Sequence, residues 1–209
     1  YTTGHRLPGF YRETMHYFQQ RWQEQKDSLH PTPAVPVIAD TSRKVASYDY
    51  PYYLPGGSLL AARTSYTSTS RIISIDSAGK ERTIVKMGTI DDDYFSYRNG
   101  RIVWAAIRFD PRWGWKDFSI IKSYDLHTKK ETVLTRRTKY FSPDISGDGK
   151  RIVVSEVTPN LHYDLKILDA STGRVVKELP NPDTLFYTYP KFSAGDSCII
   201  AAVKNRHDA

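Results

Sequence analysis

The 209 residues include a single cysteine, Cys198, so no disulfide can form within the chain. It stands in the apolar run "SCIIAAV", which predicts a buried, inert thiol rather than a nucleophile. No stretch approaches the roughly 18 consecutive apolar residues that span a bilayer. Blocks of about five or more like charges are also missing, and acids are interspersed with the bases. The formal charge of +7 therefore reads as a solvated basic surface, and the pattern argues against nucleic acid as the partner. No H-E-x-x-H, G-x-S-x-G or G-x-x-x-x-G-K-[ST] occurs, which removes the common signatures of zinc peptidases, serine hydrolases and P-loop enzymes. The six histidines, His5, His16, His30, His127, His162 and His207, show no metal-ligand spacing. Neither a metal nor a cofactor is expected, and no catalytic residue is assigned. The chain lacks an initiating Met and a leader pattern, and both ends read as cut from something longer.

Aromatic residues are plentiful, with 15 Tyr, 8 Phe and 4 Trp. They suit the pleated, half-buried surfaces of sheets. Four segments repeat one pattern of aromatic strand, Gly-centred turn and apolar strand: Tyr48–Thr64, Asp93–Arg108, Tyr140–Val157 and Phe186–Val203. The turns include Asn99-Gly100 and Asp148-Gly149, strong hairpin signals because both turn residues adopt positive φ. The glycines Gly57, Gly100, Gly149 and Gly195 recur every 43 to 49 residues, the period of a four-stranded propeller blade. After each of the first three hairpins comes a strand ending at Asp76, Asp125 or Asp169, then a turn and a charged strand. The runs "IVWAAI" and "IVVSEV" read as strands covered on both faces, and "ERTIV" and "KETVL" as solvent-edge strands.

The pattern predicts an all-β fold, a partial β-propeller of about three and a half four-stranded blades, preceded by one amphipathic α-helix. The helix is read from Tyr11, Met15, Phe18, Trp22 and Leu29, with Pro8 near its start and Pro31 beyond its end. Its aromatic face is expected to pack on its own domain. Residues 1–41 form the helix and a Pro-rich connector in this reading, and residues 42–209 the blades. Three and a half blades leave an apolar edge, to be completed by the rest of a larger polypeptide or by a second copy.

The segment "SGDGKRIVVSEV…YDLKILDASTG" resembles the TolB-type propeller repeat, whose Ser-Pro-Asp-Gly-Lys turn leads into an apolar strand. "DPRWGWKDFSIIKSYDL" and "KYFSPDISGDGKRIVVSEV" resemble the large secreted TolB-like propellers of the Bacteroidetes type. The resemblance covers Ser42 to Val203; the first and fourth units lack the full Ser-Pro-Asp-Gly. It implies a non-catalytic protein- or peptide-binding scaffold module of a periplasmic or cell-envelope protein. The alternative is the substrate-gating propeller of a hydrolase, a peptidase whose catalytic domain lies outside this chain.

The candidate site is the loop "RFDPRWGWKDF", Arg108–Phe118, which joins the second and third strands of the second blade. Strand alternation puts it on the same rim as the blade-to-blade connectors, Asp91–Asp93 and Thr135–Phe141. Loops on a rigid scaffold carry binding residues, and Trp and Arg dominate hot spots. The partner-binding candidates are Arg108, Arg112, Trp113, Trp115, Lys116, Asp91, Asp92 and Asp93. Asp110 and Asp117 are expected to pair with the arginines, and Gly114 to permit a bend. The competing reading has the tryptophans fold back to cap the blade. Asp91–Asp93 also read as a solvated connector. "DISGDG" at Asp144–Gly149 reads as a hairpin turn rather than a calcium loop, since Ser155 stands where the bidentate Glu belongs.

Overall fold

A computed structural model describes residues 6–38 and 45–204. The expected boundary between residues 41 and 42, together with His5 and His207, lies outside the described residues. The described chain falls into two compact units, which divide between residues 39 and 40.

The first unit contains α1 (Leu7–Leu29). Pro8 occupies its first turn, where no amide donor is needed, and His30 ends it in the left-handed region at φ 43°. No residue of α1 is buried. Within the helix Phe18 stacks on Trp22 at a centroid distance of 5.8 Å, with Tyr17 edge-on to Phe18 at 5.5 Å.

The second unit is a set of antiparallel sheets. The first holds β1 (Ala46–Tyr53), β2 (Leu59–Ser65), β3 (Ser68–Ile75) and β4 (Glu81–Lys86). The second holds β5 (Phe95–Arg98), β6 (Arg101–Phe109), β7 (Asp117–Asp125) and β8 (Lys130–Val133). The third holds β9 (Tyr140–Ile145), β10 (Arg151–Val157), β11 (Tyr163–Asp169) and β12 (Val175–Leu179). β13 (Phe186–Phe192) and β14 (Ile199–Lys204) pair as a fourth, two-stranded sheet. Each four-stranded sheet keeps its strands in sequence order, the topology of a propeller blade. The chain is a partial β-propeller.

Side-chain alternation along β6 explains why its apolar run is unbroken. Ile102, Trp104 and Ala106 pack with Leu60, Ile72 and Met87 of the first blade. Val103, between them, packs with Ile121, Ile145, Ile152 and Leu168 toward the third. Both faces of the strand are core, so neither set of positions tolerates a polar side chain. Burying each such residue contributes roughly 1.5–3 kcal/mol. Trp104 is fully buried and its indole N–H donates to the Met87 carbonyl at 3.0 Å.

The strand-ending aspartates cap the outer hairpins. Asp76 accepts from the amides of Ala78 and Lys80 at 3.0 and 2.9 Å, and Asp125 from those of His127 and Thr128 at 2.9 and 2.8 Å. Asp169 accepts from the hydroxyls of Ser171 and Thr172 and from both of their amides, which holds its carboxyl down at about 2. These are Asx-type turns, in which the side chain satisfies turn amides that no ladder reaches.

The innermost strands share an unexpected device. Tyr50, Ser142 and Tyr189 each precede a proline and each has positive φ, at 55°, 46° and 48°. The pairing of each inner strand slips its register at that point. Non-glycine residues rarely occupy this region, so three equivalent bulges mark a built-in kink of the repeat. Cys198 corrects another expectation, since it is exposed. β14, which follows it, pairs only with β13 among the described residues and does not cover the thiol.

Candidate functional site

β6 and β7 pair through to Phe109 and Asp117, so the loop between them springs from a rigid ladder. Asp110 shapes it. Its amide donates to the Lys116 carbonyl at 2.8 Å, and its carboxylate accepts from the amides of Arg112 and Trp113 at 2.9 and 3.3 Å. The Lys116 amide donates back to the Trp113 carbonyl at 2.8 Å. Asp110 therefore serves the backbone and does not pair with an arginine. Asp117 does not either: its carboxylate takes Lys139 Nζ at 2.5 Å. Gly114 has no left-handed backbone, and a Cβ there would meet nothing within 4 Å, so its expected role in the bend is not borne out. Trp113 is 67% exposed and Trp115 fully exposed, so neither ring caps the blade.

The loop forms one wall of a groove of about 1020 Å³. Arg112, Trp113, Trp115 and Lys116 stand on this wall, with Phe118 at its foot. The corresponding loop of the third blade contributes Thr158, Pro159 and Leu161 to the lining, and the connector Arg137–Phe141 contributes Arg137, Thr138, Lys139 and Phe141. Three hydrogen bonds at Ser119 pin that connector onto β7: Thr138 Oγ1 donates to the Ser119 carbonyl at 2.7 Å, the Ser119 amide donates to the Thr138 carbonyl at 2.8 Å, and Ser119 Oγ donates to the Tyr140 carbonyl at 2.6 Å. Arg137 and Leu161, both on the lining, have positive φ, at 54° and 59°.

The other predicted residues lie elsewhere. Arg108 is exposed on β6 and is not part of the groove. Asp91 and Asp92 border a separate cavity of about 30 Å³, which touches the groove only through Phe141. Asp92 and Asp93 are more than a solvated connector, whereas Asp91 is exposed. Asp92 accepts from the Tyr94 amide at 3.1 Å and from Tyr189 Oη at 2.5 Å. That bond, and then burial, push the Tyr189 phenol to about 12. Partial burial, then the charges of Asp49 and Asp92 beside it, push the Asp93 carboxyl up to about 6.

These contacts belong to a polar cluster between the innermost strands that the sequence reading missed. Tyr94 meets the rings of Tyr50 and Tyr189 edge-on, at 5.1 and 5.7 Å. Lys191 Nζ lies 4.2 Å from the Tyr94 ring centroid, donates to Tyr94 Oη and stands 3.7 Å from Asp144. Burial pulls the Lys191 ammonium below its ordinary value, against the opposing pull of Asp144. Burial, then the Asp144 charge, drive the Tyr94 phenol far upward. The signal was present: Ser96, Asp144 and Lys191 hold one place in successive repeats. Among the described residues no group of His, Cys, Asp and Glu is arranged to hold a metal ion, and no helix is long and apolar enough to cross a membrane.

No protein-family model matches the chain, and no curated protein does. Solved structures do. A putative TolB from Agrobacterium tumefaciens superposes with a TM-score of 0.56 at 15% identity, over 72% of this chain and 51% of that one. The β-propeller domain of the trilobed protease from Pyrococcus furiosus gives 0.47 at 13% identity, over 68% and 45%. This chain thus spans about half the length of these structures. At such identities the likeness to the TolB structure concerns the fold, and the fold it shows is a β-propeller.

Proposed function

We propose that the chain is a non-catalytic binding module of a cell-envelope protein, and that its groove between the second and third blades captures a segment of a protein or peptide. The observation that carries this reading is the groove itself: two adjacent blades contribute loops to its lining, and the aromatic side chains on it are left in water. Exposed tryptophans beside arginine are the usual anchors of interfaces. The site's volume reaches the top of the roughly 300–1,000 Å³ range of small-molecule pockets, so it admits a stretch of chain. A role in admitting substrate along the propeller axis to a hydrolase domain is the competing reading. The contacts of Tyr94 with Tyr50, Tyr189 and Lys191 oppose it, since they occupy the space between the inner strands.

The test is selection of displayed random peptides on the immobilised full chain. Enrichment that Trp113→Ala abolishes is the expected result. Failure to enrich any peptide, or enrichment that Trp113→Ala and Trp115→Ala leave unchanged, removes the groove as the site.

A further inference from the structure

Charge in the groove is unevenly settled. Six charged side chains line it: Arg112, Lys116, Arg137, Lys139, Asp117 and Glu156. Both acids already have partners. Asp117 takes Lys139 at 2.5 Å. Glu156 takes Lys166 at 2.6 Å, and Lys166 also reaches Glu178 at 2.9 Å. Burial disfavours the Lys166 ammonium, but the two carboxylates outweigh it and hold its affinity for the proton above the ordinary value. Lys139 is consumed by Asp117. That leaves Arg112, Arg137 and Lys116 with no carboxylate among the described residues.

These three cations are spread over two elements. Arg112 and Lys116 stand on the loop whose backbone Asp110 fixes, and Arg137 on the connector that Thr138 ties to β7. With them on the lining is apolar surface: the rings of Trp113, Phe118 and Phe141, with Val157 and Leu161. Lys116 Nζ sits 5.6 Å from the Phe118 ring centroid, so even its local contact is with a ring face rather than an anion. The site is an apolar trough lined by cations from two elements.

We infer, resting on the groove being the binding site, that its occupant is an acidic peptide segment, with carboxylates flanking an aromatic or large aliphatic side chain. The apolar residue fills the trough between Trp113 and Leu161, and the flanking carboxylates meet Arg112 and Arg137. Arginine suits this task, because its planar fork binds a carboxylate through two parallel hydrogen bonds. A single-stranded nucleic acid would also use tryptophans and bases. Acids are interspersed with the bases along the chain, and no block of like charges forms a track for a run of phosphates.

The experiment reads the charge of the peptides that the full chain selects from the displayed random library, then measures defined probes. The probes are a labelled peptide Asp-Glu-Phe-Asp-Glu, its Asn/Gln counterpart, a Lys counterpart and a short polyuridine. Expected are acid-rich selected sequences, at least tenfold weaker binding of the Asn/Gln peptide, and a similar loss on Arg112→Ala with Arg137→Ala. The double reversal Arg112→Glu with Arg137→Glu should transfer preference to the Lys peptide. Both arginines are exposed, so folding is checked simply by an unchanged melting curve. Selection of neutral or basic peptides through the tryptophans overturns the acidic inference and leaves the binding groove standing. Tighter binding of polyuridine, falling steeply with salt, overturns it in favour of nucleic acid. Selection of nothing overturns both.

Discussion

Ser96 Oγ donates a 2.7 Å hydrogen bond to Asp144 Oδ1, and the two residues hold the same place in consecutive blades. Asp144 is 2% exposed. Its carboxylate also accepts from the Phe192 amide at 2.9 Å, so one side chain joins the inner strands of three blades. Lys191 adds a cation at 3.7 Å. Asp144→Ala leaves three donors, the third being Tyr94 Oη at 3.4 Å, and an ammonium facing a void. Removing one partner of a buried charged network costs about 3 kcal/mol. Urea denaturation should show that loss with Asp144→Ala and a smaller one with Ser96→Ala. A change below about 1 kcal/mol for Asp144→Ala would mean that the inner strands are held by their apolar neighbours alone.

Asp93 gives the fold a pH signature opposite to that of most carboxylates. Its folded-state value of about 6 lies above the unfolded value of about 3.9. Between these limits the folded chain binds the proton more tightly than the unfolded one. Ionised Asp93 therefore opposes folding above pH 6, and the penalty is relieved as pH falls toward 4. Asp93→Asn should stabilise the protein at pH 7 to 8, by about 1 kcal/mol after solvent screening at a half-exposed site. The difference should close by about pH 4. Parallel stability curves for the two proteins across that range would contradict the assignment.

Much of this fold was legible because its turns are local. Asn99 and Gly100 both adopt positive φ, at 48° and 79°, as an Asn-Gly hairpin requires, and Asp125 and Asp169 end their strands where the turn amides need an acceptor. The inner-strand kinks were not legible. A residue before proline ordinarily stays extended, and Tyr50, Ser142 and Tyr189 depart from that only because the blades around them fix the path. Half of the groove was hidden for another reason. Arg112 and Trp113 announce themselves by type, whereas Leu161 and Thr158 are ordinary residues that matter by lining the same groove. Cys198 was misread because an apolar run shows that a strand forms and does not show that a neighbour covers it.

Two glycines should respond in opposite ways to alanine. At Gly173, φ is 71°, and a Cβ would fall 2.2 Å from the Leu134 carbonyl oxygen, a backbone atom that cannot turn aside. Gly173→Ala must shift the connector between the second and third blades and should cost roughly 3 kcal/mol, strain and overpacking together. At Gly114 the Cβ meets nothing, and the backbone lies outside the left-handed region. Gly114→Ala restricts the unfolded chain without a clash and should raise stability by about 0.5 kcal/mol. Thermal unfolding of the pair decides it, and similar melting temperatures would refute the assigned backbone geometry.

The tryptophans separate packing from binding. Trp104 is fully buried between the first and second blades, and its indole hydrogen is committed to Met87. Trp104→Ala should cost about 3–5 kcal/mol, as truncating a core aromatic does. Trp113 and Trp115 stand in solvent on a loop that Asp110 closes through backbone bonds, none of which needs an indole. Replacing both with Ala should leave the melting temperature nearly unchanged while weakening capture of a selected peptide by about 2 kcal/mol or more, the hot-spot scale. Asp110→Ala should act differently again, since it frees the Arg112 and Trp113 amides and loosens the wall that carries the rings. Binding should fall with Asp110→Ala although no side chain that touches the peptide has changed. If instead Trp113→Ala and Trp115→Ala lower the melting temperature as Trp104→Ala does, the rings pack against the blade in solution and the groove loses its anchors.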